Sequence, residues 1–457
     1  MKFTKKEIAA YGIGAIGKDM VYALSSSFVL YYYQDLLGLS AAFVGFILMI
    51  ARVFDAANDP FMGVIVQKTN TKWGRFRPWV LLGTVLNAVV LIFLFGAPQL
   101  EGSALRTYFA VMYILWGVTY TMMDIPYWSM IPAVTSNAKD REQLSVVGRT
   151  CAGVGNALIT IGTVMSVGLL GGASERTGFR LFAIIIAVIF VVTEAFLFVS
   201  IKETRSDTKM ETTSIGEMFR ALLQNDQAMI TVITIILINT ALYITSTLIL
   251  YFFKYDIGGG AGWKADYTLF TMVGGVSQIL GMMAGYPLLR KFFDNTKIFQ
   301  LCLCGAITGY AVLLVMCLTG LSSSLVLLLI PGILVFASNG ILTVLTTVFL
   351  SASVDYGEWK TGHREESVIF SMQTFVVKAA SGVAVFIAGA GLDLIGFTGN
   401  SGDTGEIVAQ SASTLFSLRL IMTVAPIIGL AAALWVFRKK FILTDEKSEE
   451  IAAALRR

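Results

Sequence analysis

The sequence predicts an all-α membrane protein with twelve transmembrane helices arranged as two six-helix bundles. Of the 457 residues, 56% are hydrophobic and only 14% are charged, whereas a typical soluble domain has about 25% charged residues. A helix that crosses a bilayer needs about 20 mainly apolar residues, and clusters of charge divide the sequence into about twelve such runs. This composition excludes a soluble enzyme, a disordered chain and a nucleic-acid-binding protein.

Each predicted span is a mainly apolar run that stops where charged or polar residues gather. Several spans are longer than the hydrocarbon thickness requires, which predicts tilted or bent helices. The 43 glycines and 8 prolines fit closely packed membrane helices, where both residue types are tolerated. The predicted spans are residues 10–38, 41–67, 78–97, 106–132, 145–171, 179–201, 228–253, 266–290, 298–319, 324–353, 367–396 and 411–437.

Lysine and arginine residues are concentrated in alternate connections, on the same side as both chain ends. The positive-inside rule therefore places both termini in the cytoplasm and supports an even number of spans. The longest polar connection, residues 202–227, separates six spans from six. We expect an N-terminal bundle at 1–201, a cytoplasmic linker, a C-terminal bundle at 228–440 and a cytoplasmic tail at 441–457. Two such halves are the plan of the major facilitator superfamily.

Residues that support metal or hydrolytic chemistry are nearly absent. The 4 cysteines have no partner at disulfide or zinc spacing, and the single histidine, His363, lies in a charged loop. A membrane-embedded enzyme would need a catalytic pair or metal site in its loops, and a sugar sensor would normally carry an added domain. Because the loops and tail are short, we expect neither, and we expect no catalytic residues and no cofactor.

Ionisable residues fall within the predicted spans, where each one costs about 2.5–3.5 kcal/mol on insertion scales. Such residues need a partner or a function. The second half has Lys378 and little else near the bilayer centre. The first half holds most of them, namely Lys18, Asp19, Arg52, Asp55, Asp59, Asp124 and Arg149.

The second span places Asp55, Asn58 and Asp59 on one helical face, because they are three and four residues apart. Two carboxylates about 6 Å apart repel by roughly 2.8 kcal/mol at an effective dielectric constant of about 20. A bound monovalent cation or a proton would relieve this repulsion, and the amide oxygen of Asn58 adds a hard ligand. The alternative is internal ion pairing with Arg52 and Lys378.

The fourth span has Tyr120, Asp124 and Trp128 at intervals of four, with Thr121 three residues before Asp124. A carboxylate beside an aromatic ring is a combination that suits a sugar, because hydroxyl groups donate to the acid while the apolar sugar face lies on the ring. A packing role for the stripe is the alternative. We expect Asp19 and Asp124 to be unpaired acceptors. Two residues that could complete the ring of polar groups are Asp19 and Arg149.

Two charged connections need only a structural interpretation. Residues 67–79 are rich in lysine and arginine, which follows from the predicted topology. Residues 355–358 and 363–366 are predicted to form a charged turn between the tenth and eleventh spans. A solvated surface is expected there, with a gate held by salt bridges as the alternative.

Three of these segments, residues 55–60, 73–79 and 354–358, resemble the signatures of the glycoside–pentoside–hexuronide:cation symporters. The resemblance runs from about Tyr11 to Asn400 and is strongest for the branch that carries melibiose. Further matching segments are residues 11–19, 31–33, 114–126, 141–144 and 373–378.

The resemblance implies a secondary active symporter that couples uptake of a galactoside, a melibiose-like disaccharide, to Na⁺, Li⁺ or H⁺ by alternating access. It implies a monomer in a bacterial inner membrane. The implied cation site, for Na⁺ as the metal ion, comprises Asp55, Asn58, Asp59 and Thr121. The implied sugar site comprises Lys18, Asp19, Tyr120, Asp124, Trp128 and Arg149, with Gln373, Thr374, Val377 and Lys378 from the second half.

The chain departs from the family pattern at Thr343, where a tryptophan is usual, at Ala352, where an acid is usual, and at Glu365, where a cysteine is usual. These departures leave the glycoside open, and a glucuronide, a xyloside or a larger α-galactoside is the alternative substrate. Because Asp19 and Asp124 would repel a carboxylate, a neutral sugar is favoured.

Overall fold

The computed structural model describes residues 4–134, 138–203, 216, 220, 223–257, 262–362, 366–399 and 408–455. Within these residues the regular structure is helical and contains no β-strand, which confirms the predicted all-α class. The helices are α1 Lys5–Tyr31, α2 Ala41–Lys68, α3 Arg77–Phe95, α4 Gly102–Val134, α5 Ala138–Gly171, α6 Glu175–Ser200, α7 Asp226–Tyr251, α8 Trp263–Leu280, α9 Asn295–Thr319, α10 Leu325–Thr361, α11 Glu366–Leu394, α12 Ala412–Lys440 and α13 Asp445–Leu455.

Among the described residues, nine of the first twelve helices are long and apolar enough to cross a membrane. Helices α1, α2 and α4 are not among these nine. They carry the four predicted cation residues and five of the ten predicted sugar residues. In α1 and α4 the charged residues Lys18, Asp19 and Asp124 interrupt the apolar sequence, as expected of membrane helices that line a polar site.

Two compact units divide the chain. The first unit comprises Met1–Thr212 with Thr398–Val408, and the second comprises Thr213–Phe397 with Ala409–Arg457. Helices α1 to α6 therefore belong to the first unit and α7 to α13 to the second. Most of the linker predicted at 202–227 lies outside the described residues, so its bounds remain a prediction.

In the first unit, α1 packs closely against α5 and α6 because glycines face its neighbours. A Cβ atom at Gly17 would stand only 2.0 Å from Thr193 Oγ1 on α6. A Cβ atom at Gly155 on α5 would stand 2.4 Å from the Ile16 carbonyl oxygen. This contact sets the position of the part of α1 that carries Lys18 and Asp19.

The first helix of each unit continues into a π-helical segment of similar sequence. The segment Tyr32–Leu36 follows α1, and Phe252–Ile257 follows α7. Both contain adjacent aromatic residues and then a buried aspartate, Asp35 in one and Asp256 in the other. π-helical turns are rare, and the shared position and sequence of this pair fit two units that are structural repeats. A third π-helical segment, Gly281–Gly285, follows α8 and has no counterpart in α2.

The loop between α2 and α3 is held by a carboxylate from the end of α6. Glu203 accepts hydrogen bonds from the backbone amides of Arg75, Phe76 and Arg77 at 2.6–2.9 Å. Gly74 has φ +112, and a Cβ atom there would stand 2.5 Å from the Glu203 carboxyl carbon. The amides at the start of α3 thus form an anion-binding nest that this acid fills.

The prediction that residues 355–358 form a turn is wrong, because α10 continues through them to Thr361. Hydropathy marks where a helix leaves the bilayer, and a helix can continue beyond that point through polar residues. Gly362, with φ +75, then ends the helix in the left-handed conformation that glycine adopts readily. His363, Arg364 and Glu365 lie outside the described residues.

Polar contacts in the second unit join helix ends that are distant in sequence. Asp226 at the start of α7 accepts from Lys360 at 2.5 Å and from Tyr356 at 3.1 Å near the end of α10. Asp445 at the start of α13 pairs with Arg290 at 2.6 Å and accepts from Asn295 at 2.9 Å. These exposed or half-buried pairs tie helix ends together within the unit. They do not test the alternative that this region is a gate.

Candidate functional site

Lys18 is the centre of a polar cluster inside the first unit and is 2% exposed. Its Nζ atom lies 2.7 Å from Asp124 Oδ1 and 2.9 Å from Asp19 Oδ2. It also donates to the Tyr120 hydroxyl at 3.4 Å. The cluster therefore joins α1 to α4 through one buried cation.

The expectation that Asp19 and Asp124 are unpaired acceptors is wrong, because each forms an ion pair with Lys18. The physical reason is that an ammonium group buried without a partner is strongly destabilising. Asp19 and Asp124 both provide the negative charge that the buried Lys18 ammonium group needs. The two aspartate side chains are only 18–19% exposed, so they are acceptors whose geometry is already set by a cation.

Trp128 lies beside this cluster, as the spacing along α4 predicts. Its Nε1 atom donates to Asp124 Oδ1 at 3.1 Å. Two cations contact its ring, because Lys18 Nζ is 5.0 Å and Arg149 Cζ is 4.5 Å from the ring centroid. Arg149 is exposed and makes no ion pair with a described acid. Electron-rich rings attract such cations, and the Trp128 ring therefore lies between two cations at the edge of the cluster.

Two tyrosines that sequence reasoning missed lock α1 to α4. The Tyr11 hydroxyl donates to the Tyr127 carbonyl at 3.2 Å, and the Tyr127 hydroxyl donates to the Tyr11 carbonyl at 2.5 Å. Their rings are stacked with centroids 4.6 Å apart. Tyr11 is seven residues before Lys18, hence on the same face of α1, and that spacing was the available signal.

The residues predicted for the cation site lie on α2 and α4 of the same unit. Thr121 donates its hydroxyl to Asp59 Oδ1 at 3.3 Å. Arg52 Nη1 lies 3.6 Å from Asp55 Oδ2, so part of the ion-pairing alternative is present. Asn58, which lies between the two acids in the sequence, is half-buried. Asp59 therefore contacts Thr121, which is three positions before Asp124 on α4. Both predicted sites thus include residues of α4.

The donor set of the predicted cation site consists of carboxylate, amide and hydroxyl oxygens. These are the hard ligands that small monovalent cations accept. Among the residues that the structure describes, no group of three or more His, Cys, Asp and Glu side chains is arranged to hold a metal ion. The predicted cation site is of a different kind, since it consists of two acids, an amide and a hydroxyl, and its assignment remains a prediction.

The predicted sugar residues of the second half lie on α11. Gln373, Val377 and Lys378 are half-buried there, whereas the side chain of Thr374 lies outside the description. They belong to the second unit, and their part in a shared site remains a prediction.

Thr343, one of the departures from the family pattern, lies on a different helix of that unit, α10. It lies on an exposed stripe of that helix together with two further hydroxyl residues at intervals of four, Thr347 and Ser351.

Glu194 on α6 is a further buried acid that sequence reasoning missed. It lies within the span predicted at 179–201, so a count of acids in every span would have found it. It is 0% exposed, and neither carboxylate oxygen has a hydrogen-bond partner among the described residues.

A membrane protein of two six-helix units with a buried charged cluster in one of them is a transporter of the major facilitator type. Residues 10–444 match the family of MFS/sugar transport proteins, and the chain belongs to that family. This match confirms the predicted fold and the resemblance to glycoside–cation symporters.

Relatives are similar over almost the whole chain. The raffinose carrier protein of Pediococcus pentosaceus is 26% identical over 98% of this chain and 71% of its own length. A putative glycoside/cation symporter of Escherichia coli is 25% identical over 99% of this chain and 95% of its own length. An inward-facing bacterial homologue of the human lysosomal transporter Spinster matches in fold, with a TM-score of 0.67, 12% identity and coverage of 94% and 95%.

Proposed function

We propose that the protein is a secondary active symporter that couples the uptake of a neutral galactoside to a monovalent cation. The observation that carries this proposal is the buried contact of Lys18 with Asp19 and Asp124 beside Trp128. A transporter has no reason to bury this costly set of charges unless they bind cargo or ions. The names of the two relatives, a raffinose carrier and a glycoside/cation symporter, support the same proposal.

The sugar site would use charges that are held in place before the sugar arrives. Lys18 fixes the positions of both aspartates, so their orientation costs little when sugar hydroxyl groups replace water as donors. Hydrogen bonds to charged groups contribute about 1.5–3 kcal/mol. The apolar face of a pyranose would lie on the Trp128 ring after the exposed Arg149 side chain moves to contact a hydroxyl group.

A neutral sugar is proposed because the cluster is electrically balanced. Lys18 and Arg149 carry two positive charges, and Asp19 and Asp124 carry two negative charges. One observation favours a second candidate, a glucuronide, because Arg149 is exposed and lacks an acidic partner among the described residues. A guanidinium group in that position could take a carboxylate in a bidentate pair.

Cation coupling would run through α4. A cation bound by Asp55 and Asp59, with Asn58 and Thr121 as neutral ligands, would attract the Thr121 oxygen and hold α4 against α2. Thr121 is one helical turn before Asp124, so a cation that fixes Thr121 also fixes the sugar acceptor. Linkage then requires the sugar to increase cation affinity by the same factor. Na⁺ is the proposed ion, with Li⁺ and H⁺ as candidates.

The remaining proposals complete this account. The galactoside is a melibiose-like disaccharide, and raffinose, for which one relative is named, is likewise an α-galactoside. Gln373, Thr374, Val377 and Lys378 are kept as proposed sugar residues on α11, and alternating access is the proposed mode of transport. The protein acts as a monomer in a bacterial inner membrane with both termini in the cytoplasm.

The test is uptake of radiolabelled sugar into right-side-out membrane vesicles that contain the protein. Melibiose and a glucuronide are each supplied with and without a Na⁺ gradient. We expect Na⁺-stimulated accumulation of melibiose and little uptake of the glucuronide. Stimulated uptake of the glucuronide alone would establish the second candidate. Absence of Na⁺, Li⁺ or H⁺ stimulation for every glycoside would contradict the proposal of symport.

A further inference from the structure

The carboxyl group of Glu194 is placed where an ionised acid would be unstable. The residue is 0% exposed, and both its oxygens lack a hydrogen-bond partner within the described part of the chain. Its oxygens lie 3.4 Å from the position of a Cβ atom at Gly14, so they rest against the backbone of α1. The carboxyl group is closed to solvent, and an ionised carboxylate without donors costs far more to bury than a neutral carboxyl group.

The charges around Glu194 reinforce this preference. Lys18 lies one helical turn after Gly14 on α1 and attracts this carboxyl group, but Lys18 is already bonded to Asp19 and Asp124. A third negative charge would exceed what one ammonium group can balance. With Glu194 neutral, the cluster that includes Arg149 has no net charge, and with Glu194 ionised it has a charge of −1.

None of the other described titratable groups near α6 donates a hydrogen bond to Glu194. Its neighbours on α1 and α4 include tyrosines that are buried and bonded elsewhere, as Tyr11 and Tyr127 are to each other's carbonyl groups. The elements that pack most closely against α6 are α1 with its π segment, α3 and α5. Apart from the end residues of α1, their remaining titratable groups with described side chains are Tyr22, Tyr31, Tyr32, Tyr33 and Asp35 on α1 and its π segment, Arg77 on α3, and Arg149 and Cys151 on α5. Tyr120 on α4 accepts from Lys18.

We propose that Glu194 is a proton-binding site of the transport cycle, separate from the cation site on α2, and that its protonated form is the one that binds sugar. This inference rests on the proposed function. When Glu194 loses its proton, the new carboxylate competes for the Lys18 ammonium group and draws it from Asp124. The acceptor that the sugar needs then loses the partner that orients it.

The direction of the pH effect follows from this competition. Sugar affinity is greatest where Glu194 is protonated, and it falls as the pH rises past the point at which this group ionises. One linked proton limits the fall to about tenfold per pH unit. By linkage, sugar binding at a pH in this range must draw one proton from the solution.

The experiment measures galactoside binding by calorimetry across a pH series in saturating Na⁺, so that the cation site is occupied throughout. The wild type should lose affinity at alkaline pH, whereas Glu194→Gln should bind equally well at every pH. Glu194→Asp should retain the pH dependence with a shifted midpoint. The matched control is Glu175→Gln, which changes an acid on the same helix that accepts from the Tyr31 hydroxyl and should retain the wild-type profile.

Two measurements on the wild type test the inference even if a variant does not fold. Calorimetry in buffers of different ionisation enthalpy should detect proton uptake when sugar binds, and infrared spectra should contain the carbonyl band of a protonated carboxyl group. Parallel pH profiles for the wild type and Glu194→Gln, or no proton uptake at any pH, would overturn the inference. If no galactoside binds at any pH, the proposed function fails instead, and the infrared band still reports whether Glu194 holds a proton.

Discussion

Replacing Asp124 with asparagine should weaken galactoside binding by about 10- to 100-fold. The change conserves size but removes the charge that accepts from Lys18 at 2.7 Å and from Trp128 at 3.1 Å. A hydrogen bond to a charged group contributes about 1.5–3 kcal/mol, and 1.4 kcal/mol corresponds to a tenfold change in affinity. Lys18 retains Asp19 as a partner at 2.9 Å, so the buried ammonium group is not left alone and the protein should fold.

The assay is isothermal titration calorimetry of the purified protein with melibiose in saturating Na⁺. The matched control is Asp226→Asn, which also removes an aspartate from a lysine pair, with Lys360 at 2.5 Å, but at a half-exposed helix end in the second unit. This control should bind sugar as the wild type does. If Asp19→Asn and Asp124→Asn both bind melibiose with unchanged affinity, the assignment of the sugar site is wrong.

Three further changes test the site and the packing that holds it. Trp128→Ala should lower sugar affinity with little effect on Na⁺ affinity, and an equal loss of both in calorimetry would indicate a packing role. Gly17→Ala should lower the melting temperature because its Cβ atom would overlap Thr193 Oγ1. The control is Gly153→Ala, since a Cβ atom at Gly153 meets nothing within 4 Å. Equal melting temperatures of the two variants would refute the contact. Glu203→Gln should lower the melting temperature by removing the charge that three amides share, and an unchanged value would show that the nest does not stabilise the first unit.

The helices were predictable because a bilayer imposes a simple physical rule. Every spanning backbone must satisfy its own hydrogen bonds in a helix, and its surface must be apolar over about 20 residues. The same rule fails at helix ends, since nothing in the apolar pattern reports where a helix stops in water. For this reason the predicted end of the tenth span at residue 353 falls short of Thr361.

The face of a helix on which a residue lies was predictable, but its partners were not. Intervals of three and four brought Tyr120, Asp124 and Trp128 together on α4, as expected. That Lys18 binds both Asp19 and Asp124 depends on how α1 approaches α4, and glycine contacts with α5 and α6 decide that approach. Pairwise spacing within one helix contains no information about such contacts between helices.

Glu194 and Glu203 illustrate the same limit at greater distance. The amides that Glu203 binds are more than 120 positions earlier in the chain, and no local pattern predicts such a contact. Glu194 has a visible signal, an acid in an otherwise apolar span, but its meaning depends on the missing partners that only the packed structure reveals.

Asp59→Asn tests the central claim, which is that one site on α2 couples a cation to a sugar site on α1 and α4. The measurement is melibiose affinity with and without Na⁺, together with accumulation of melibiose against a gradient in vesicles. We expect the variant to bind melibiose without Na⁺ stimulation and to carry it only down its gradient, because neutralising Asp59 removes the negative charge that a cation beside Thr121 would use. Retained Na⁺-driven accumulation by Asp59→Asn would contradict the account.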